Sequence, residues 1–326
     1  MEILNSRSSM RILRYLRCAG LFVCNPSEVV ILGSRGDYFG QPLTLLKPAM
    51  GKRLVVFDGL LSLYETLVVD RNYYPRDSCI SKVLHMLDRA AFQFSDVVIS
   101  DSDAHARYYS KEFDVPISKI RTLYIGTDDS VFYPREKGSG SPNLIVGFWG
   151  GFIPLQGIET IVEAARLLSS EKGVEFRLHG QGQTLEMIRS LCKKMEVSNL
   201  HVVDRWRPYE SLPDLIREFD VCLGIFGQGS KAQNVIPNKV YEALAMKKPV
   251  ITADTCAARE LLTNGKDSLL SVPGDAASLA ECILDIKNSP NLRERIAVGG
   301  YDLFKSRLSP LETGRTLVSI LNEFAK

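Results

Sequence analysis

The sequence predicts an α/β chain built as two doubly wound domains, each a parallel sheet with helices on both faces. Three observations carry this. Short Val- and Ile-rich runs alternate with helical patterns along nearly the whole chain, and strict strand–helix alternation implies parallel pairing. The chain has 326 residues, more than one ordinary core organises. One segment, YPREKGSGSPN (133–143), combines Pro, Gly, Ser and mixed charge without an apolar period and reads as a linker.

Ahead of that segment, EVVILG (28–33), RLVVFDG (53–59), SDVVISD (95–101) and IRTLYIG (120–126) read as buried strands. SKVLHMLDRAAFQF (81–94) reads as an amphipathic helix. After it the alternation is cleaner. NLIVGFWG, VEFRLHG, LHVVD, DVCLGIF, PVITAD and DSLLSV read as strands. IETIVEAARLLSSE reads as a helix with Ile158, Ile161, Val162, Ala165 and Leu168 on one face. TLEMIRSLCKKM, SLPDLIREF, NKVYEALAM, AARELL and DAASLAECILDIKN supply the remaining helical patterns. The first domain has fewer strands than the second.

Composition excludes several classes. The net charge is +2, so no basic excess points to nucleic acid. Seven scattered cysteines without CxxC spacing argue for reduced thiols in a cytoplasmic protein. No apolar run reaches the roughly 18 residues of a membrane span. Arg7, Arg11, Arg14 and Arg17 fall on one helical face. Two readings stand for them: a stripe touching anionic lipid on the inner membrane face, or the solvated side of a domain helix.

In doubly wound folds ligands bind at the carboxyl ends of strands and at helix N-termini, and two such domains would share a cleft there. GFWGGFIPLQG (147–157) follows a strand and precedes a helix. Its glycines admit close approach of a ligand to backbone N–H groups, or they serve packing alone. HGQGQ (179–183) offers a similar turn, with His179 as a structural or site residue. In SKAQNVIPNKVYEALA (230–245), Pro237 suits the first helical position, or Asn238 is the N-cap. Val240, Ala243 and Leu244 form a buried stripe, whereas Lys239 and Glu242 share another face. They are either a surface ion pair or part of a ligand site, with the helix N-terminus facing phosphates and Glu242 facing sugar hydroxyls.

These residues carry a family resemblance. IPNKVYEALAMKKPVITAD, with the later ARELLTNGKDSLLSVPGDAASLAECI, resembles the C-terminal signature of family 4 glycosyltransferases of the GT-B fold. VGFWGGFIPLQGIETIVEAARLL resembles that family's opening strand–loop–helix of the donor domain, and SDVVISDSDAHARYYSKEFDVPISKIRTLYIGTDDSVFYP its bridge between domains. The match covers about residues 95 to 290. The FIPLQG and IPNKVYEALA motifs together resemble one subgroup. The resemblance implies two Rossmann-like domains: an acceptor-side domain over 1–137, a linker at 138–142, a donor domain over 143–305, and a C-terminal helix over 306–326 packing back on the first domain. It implies a nucleotide-sugar donor, retention of anomeric configuration and no required metal.

Carried over residue by residue, Glu242 matches the second acid of the Glu-x7-Glu element, the ribose ligand. Asn234 stands where the first would be. Gly151 and Gln156 stand at the usual Arg and Lys that neutralise the leaving diphosphate. Lys231 or Lys239, with backbone N–H groups, is left to supply that neutralisation, and Gly150, Gly157, Pro237 and Asn238 line the expected donor site. The usual first strands have no clear counterpart, which implies a shortened N-terminal domain. Asp58 falls near the place where a strand end offers a His to the sugar. It reads as a polar contact or base, or as a cap for a helix from Leu60 onward. Asp101 and Asp103 are weaker candidates. The expected activity is glycosyl transfer to a glycan, lipid or small-molecule acceptor, in cell-surface polysaccharide biosynthesis. The competing expectation is a non-catalytic nucleotide-sugar-binding or scaffold protein.

Overall fold

The β-branched runs become parallel strands because each can bury both faces under helices. A computed structural model describes residues 27–33, 40–136 and 142–324. The chain divides into unit 1, residues 1–123 with 316–326, and unit 2, residues 124–315. The arginines at 7, 11, 14 and 17, and most of the segment read as the linker (138–142), lie outside the described residues. The division falls before that segment. Residues 124–136 are held within unit 2, by the ring of Phe132 on Tyr209 at 5.1 Å and the Arg135–Asp214 ion pair at 2.9 Å.

In unit 1, β1 (Val29–Leu32), β2 (Leu54–Asp58), β3 (Val97–Ser100) and β4 (Ile120–Thr122) form a four-stranded parallel sheet in that order. Alternation along the strands feeds two cores. Val55, Phe57 and Val98 pack with Ala91 and Phe92 of helix α1 (Cys79–Phe94) and with Ala106 and Tyr109 of α2 (Asp103–Glu112). Val56, Val97 and Ile99 face the other way, onto Ile320.

In unit 2, β5 (Leu144–Trp149), β6 (Val174–His179), β7 (Leu200–Val203), β8 (Val221–Leu223), β9 (Val250–Ala253) and β10 (Leu269–Ser271) form a six-stranded sheet. Its order is β10-β9-β8-β5-β6-β7, and every pairing is parallel. The face predicted for α3 (Ile158–Leu167) is buried as expected: Ile158, Ile161, Val162 and Ala165, with Leu168 just beyond, pack on Val146 and Phe148. Helices α4 (Leu185–Lys194), α5 (Asn238–Ala245) and α6 (Ala276–Asn288) follow where the periodicity placed them. Helix α7 (Pro290–Leu303) then leads toward the C-terminal α8 (Pro310–Phe324). The doubly wound order reverses direction between β5 and β8, so the carboxyl ends of those two strands flank the switch point where such sheets bind ligands.

Candidate functional site

The loops after β5 and β8 are tied together at that switch point. The amide of Phe226 donates to the carbonyl of Gln156 at 2.9 Å. Gly157 sits at φ +60, and a Cβ on it would lie 2.4 Å from the backbone nitrogen of Gly227. Here glycine is required both by the left-handed conformation and by close backbone approach. At Gly150 (φ +136) an added Cβ would lie 3.3 Å from the Lys239 ammonium. Gly151 is open by comparison, with Ile153 the nearest neighbour at 3.6 Å.

Most loop amides are already used. Gly150 donates to the His179 carbonyl at 3.0 Å, Phe152 to Gln181 at 2.8 Å, and Gln156 to Ile153 at 3.0 Å. Among the described residues, the amides of Gly151 and Ile153 make no such bond. The short helix Ser230–Asn234 carries Lys231 and Asn234. It is positioned by Ala232, which packs with Ile225, Val235 and Leu155.

Helix α5 begins between the two starts that the sequence left open. Asn238 is its first residue and Pro237 its N-cap, in extended conformation and without a side-chain cap. Proline can hold this place because its fixed φ suits the turn into the helix. Lys239 and Glu242 are not a surface ion pair: both are buried at 6% exposure. The helical period does separate them from Val240, Ala243 and Leu244, but their face meets the ends of β5. The Lys239 ammonium donates to the Gln156 side-chain carbonyl and lies 3.7 Å above the Phe148 ring, a cation–π contact. Glu242 Oε2 accepts from the Trp149 indole at 2.6 Å, and Trp149 stacks on Phe219 at 6.0 Å.

The electrostatics follow from burial. Desolvation holds the Lys239 ammonium well below the ordinary lysine pKa, against the opposing pull of Glu242. Desolvation likewise raises the Glu242 carboxyl, against the indole hydrogen bond and Lys239. The site therefore carries a buried lysine beside a helix N-terminus and two unused loop amides, and an anion bound there would favour its protonated form. That combination suits an anion with several oxygens.

Trp149 and Phe148 were missed by sequence reasoning. The available signal was their place, as the last two residues before the glycine loop. His179 ends β6 and is paired in register with Trp149. Its Nδ1 is buried without a hydrogen bond. Desolvation, reinforced by Arg207 and Arg177, lowers its pKa to about 4.

In unit 1, Asp58 ends β2. Its Oδ1 accepts from the Leu60 amide at 3.3 Å, but Leu60 lies in a turn and helical structure begins only at Leu63, so Asp58 is not its N-cap. Burial raises its carboxyl, the Leu60 bond lowers it, and Asp101 adds a smaller upward push. Asp101 is engaged elsewhere: its Oδ1 bonds His105 Nδ1 at 2.6 Å, while His105 Nε2 bonds Glu65 at 2.9 Å. Asp103 opens α2 and accepts from the Thr122 hydroxyl.

Comparison with known proteins gives a consistent picture. The family of group 1 glycosyl transferases matches residues 131–302. The putative colanic acid biosynthesis glycosyltransferase WcaL of Escherichia coli is 26% identical over 195 residues, covering 58% of this chain and 47% of that protein. The chain spans about half the length of the first curated relatives it matches. Sucrose-phosphate synthase from Thermosynechococcus elongatus superposes with a TM-score of 0.75 at 15% identity, over 98% of this chain and 80% of that one. Anabaena HepE in complex with UDP and glucose gives 0.71 at 16%, over 98% and 84%. The fold is GT-B, with a parallel α/β sheet in each of two units.

Proposed function

Because the chain belongs to the group 1 glycosyl transferases, we propose that it moves a sugar from a nucleotide-diphosphate sugar to a glycan, lipid or small-molecule acceptor, with retention of configuration and without a metal cofactor. Within that group it is read as a family 4 enzyme of the FIPLQG and IPNKVYEALA subgroup. It acts in the cytoplasm, peripherally on the inner membrane face, with the arginines at 7, 11, 14 and 17 as one contact. Its relative WcaL is named for colanic acid biosynthesis, which favours a cell-surface polysaccharide as product. The HepE complex with UDP makes UDP-sugars the first donors to try.

One observation carries this reading: the Lys239 ammonium is buried against Gln156, the residue standing where the family resemblance places a lysine. The donor diphosphate lies over Gly150–Gly157 and the start of α5. It takes up the amides of Gly151 and Ile153, the Asn238 amide that follows the Pro237 N-cap, and the charge of Lys239, with Lys231 nearby in sequence. As the sugar departs, the diphosphate gains charge, and preorganised dipoles with a buried cation stabilise it without reorganisation. Glu242 accepts from ribose hydroxyls, and Asn234 bonds the sugar without charge. The leaving phosphate takes the acceptor proton on the same face, so no side-chain nucleophile is needed. Asp58 is the polar contact or base in unit 1.

The test is turnover with a panel of UDP-, GDP- and other nucleotide-sugars, with and without EDTA, following the anomeric proton of the product. A retained anomer formed in EDTA supports the whole reading, whereas an inverted product or a metal requirement sinks that part of it. Replacement of the usual Arg and Lys by Gly151 and Gln156 favours a second reading, a binding or scaffold protein. Donor binding with neither transfer nor hydrolysis would select it.

A further inference from the structure

At the opposite end of unit 1 from Asp58 lies a cavity of about 1130 Å³. It opens where the strands begin: Val29 and Leu54 start β1 and β2, and Asp96 and Lys119 directly precede β3 and β4. Among the described residues, four cations line it, Lys47, Lys52, Arg53 and Lys119, against two acids, Glu28 and Asp96. Lys47 is paired with Asp96. Lys119 donates to the Gln93 carbonyl at 2.7 Å. Partial burial lowers its pKa, Asp96 opposes this, and Lys47 repels it. Among the described lining residues, positive charge is thus in excess.

Phe94 lines this cavity and is also the last residue of α1. Along α1, Ile80, Val83, Met86 and Phe94 share one outward side and are 44–61% exposed. Their spacings of three, three and eight keep them within one helical face. Lys82 and Arg89, seven residues apart, run along one edge of that face. They are the outward charges of α1, because its only acid, Asp88, is buried. Arg89 also reaches Asp114, at 3.0 Å, whereas Lys82 stands free of any ion pair among the described residues. An apolar stripe edged by cations and continuous with a basic cavity matches an anionic lipid surface. The stripe would lie among upper acyl chains and the cations among phosphates. Among the described residues, no helix is long and apolar enough to cross a membrane, so the helix would lie along the surface.

We propose that the outer face of α1 and the adjoining cavity form a docking surface for anionic phospholipid, built from residues other than the N-terminal arginines and the unit 2 site residues. The test is co-sedimentation of the full chain with vesicles of phosphatidylcholine, alone or mixed with phosphatidylglycerol. Binding is expected to the anionic vesicles only, falling with salt. Val83→Asp and Lys82→Glu are each expected to reduce the bound fraction about fivefold or more. Both residues are on the outside of the helix near its start, where an acid suits the helix dipole. Circular dichroism with UDP affinity checks that each variant is folded. A second arm titrates inorganic phosphate by calorimetry. Wild-type vesicle binding by Val83→Asp overturns the proposal. Equal binding to neutral vesicles also overturns it, as does complete loss on converting Arg7, Arg11, Arg14 and Arg17 to Glu while Val83→Asp stays unaffected. Phosphate binding without vesicle binding makes the cavity a site for a free anion and likewise overturns the lipid surface.

Discussion

The Lys239 ammonium donates to the side chain of Gln156, a residue 83 positions earlier in the chain. A lysine on α5 thereby reaches the turn that precedes α3, and the cation stays under the glycine loop although it comes from another element. The ring of Phe148 provides the floor at 3.7 Å, and no acid within ion-pair distance of the ammonium neutralises it among the described residues.

Replacing Lys239 by Met tests whether this cation serves a ligand. The change keeps length and packing and removes a buried charge, so the fold should hold or gain stability, as buried charges often cost more than they return. UDP binding should weaken at least tenfold. The native lysine, with its pKa held low, binds fewer protons folded than unfolded between that depressed value and about 10.5. Stability of the native protein should therefore rise with pH across that window. Lys239→Met should flatten the slope, as read by urea unfolding at several pH values.

Glu242→Gln retains an oxygen for the Trp149 indole while removing the charge. Hydrogen bonds to a charged group contribute roughly 1.5–3 kcal/mol each, so donor affinity should fall about tenfold or more with no change in thermal midpoint larger than a few degrees. Unchanged affinity and activity would mean that Glu242 does not contact the ribose. Its carboxyl is raised by burial. In the native protein, stability should fall as pH rises through the window just above the ordinary glutamate value, and Glu242→Gln should remove that fall.

His105 predicts an opposite trend to that of Lys239. Burial alone would lower its pKa, but Glu65 and Asp101 raise it to about 9. Its stabilising contribution is full below about 6.5, the unfolded value, and is lost as pH climbs through about 9. Urea unfolding followed by a unit 1 probe should show that decline. His105→Phe strands two buried carboxylates and should cost on the order of 3–5 kcal/mol.

Glycines in one loop should respond differently. Gly157→Ala must place a Cβ against backbone in a left-handed conformation and should destabilise by about 1–3 kcal/mol. Gly151→Ala meets only a side chain at ordinary contact distance and should change stability by less than about 0.5 kcal/mol. Thermal melts of the two variants decide the point.

Asp58→Asn separates a chemical role from a turn-forming one. The amide oxygen can still accept from the Leu60 N–H, so folding should persist. If the carboxylate acts as a base, kcat should fall roughly 100-fold or more. An unchanged kcat would leave Asp58 with the turn alone.

Much of the sheet architecture was legible because Val and Ile runs such as Val97–Ser100 and Val250–Ala253 are buried on both faces, which leaves a local signature. The stripe on α3 was legible from its helical period. The burial of Lys239 and Glu242 was not. Helical period alone put them on a flank, and the groups that cover them, Gln156 and Trp149, come from a loop and a strand 83 and 93 residues away. The clamp on His105 was equally hidden, since Glu65 lies 40 residues earlier on a π-helical turn that no propensity marks. Pairings of this range are decided by strand order, which a local pattern does not encode.

Helix α8 belongs to unit 2 through Arg315 and to unit 1 from Thr316 onward. Its Ile320, with Leu321 and Phe324, covers Val56, Val97 and Ile99. Unit 1 is therefore not a contiguous stretch of polypeptide. A ribosome would have finished all of unit 2 before releasing the residues that close the far side of the first sheet. A fragment cut at Leu123 would leave that apolar side bare, so unit 1 would have to be expressed with the helix grafted back on or co-expressed.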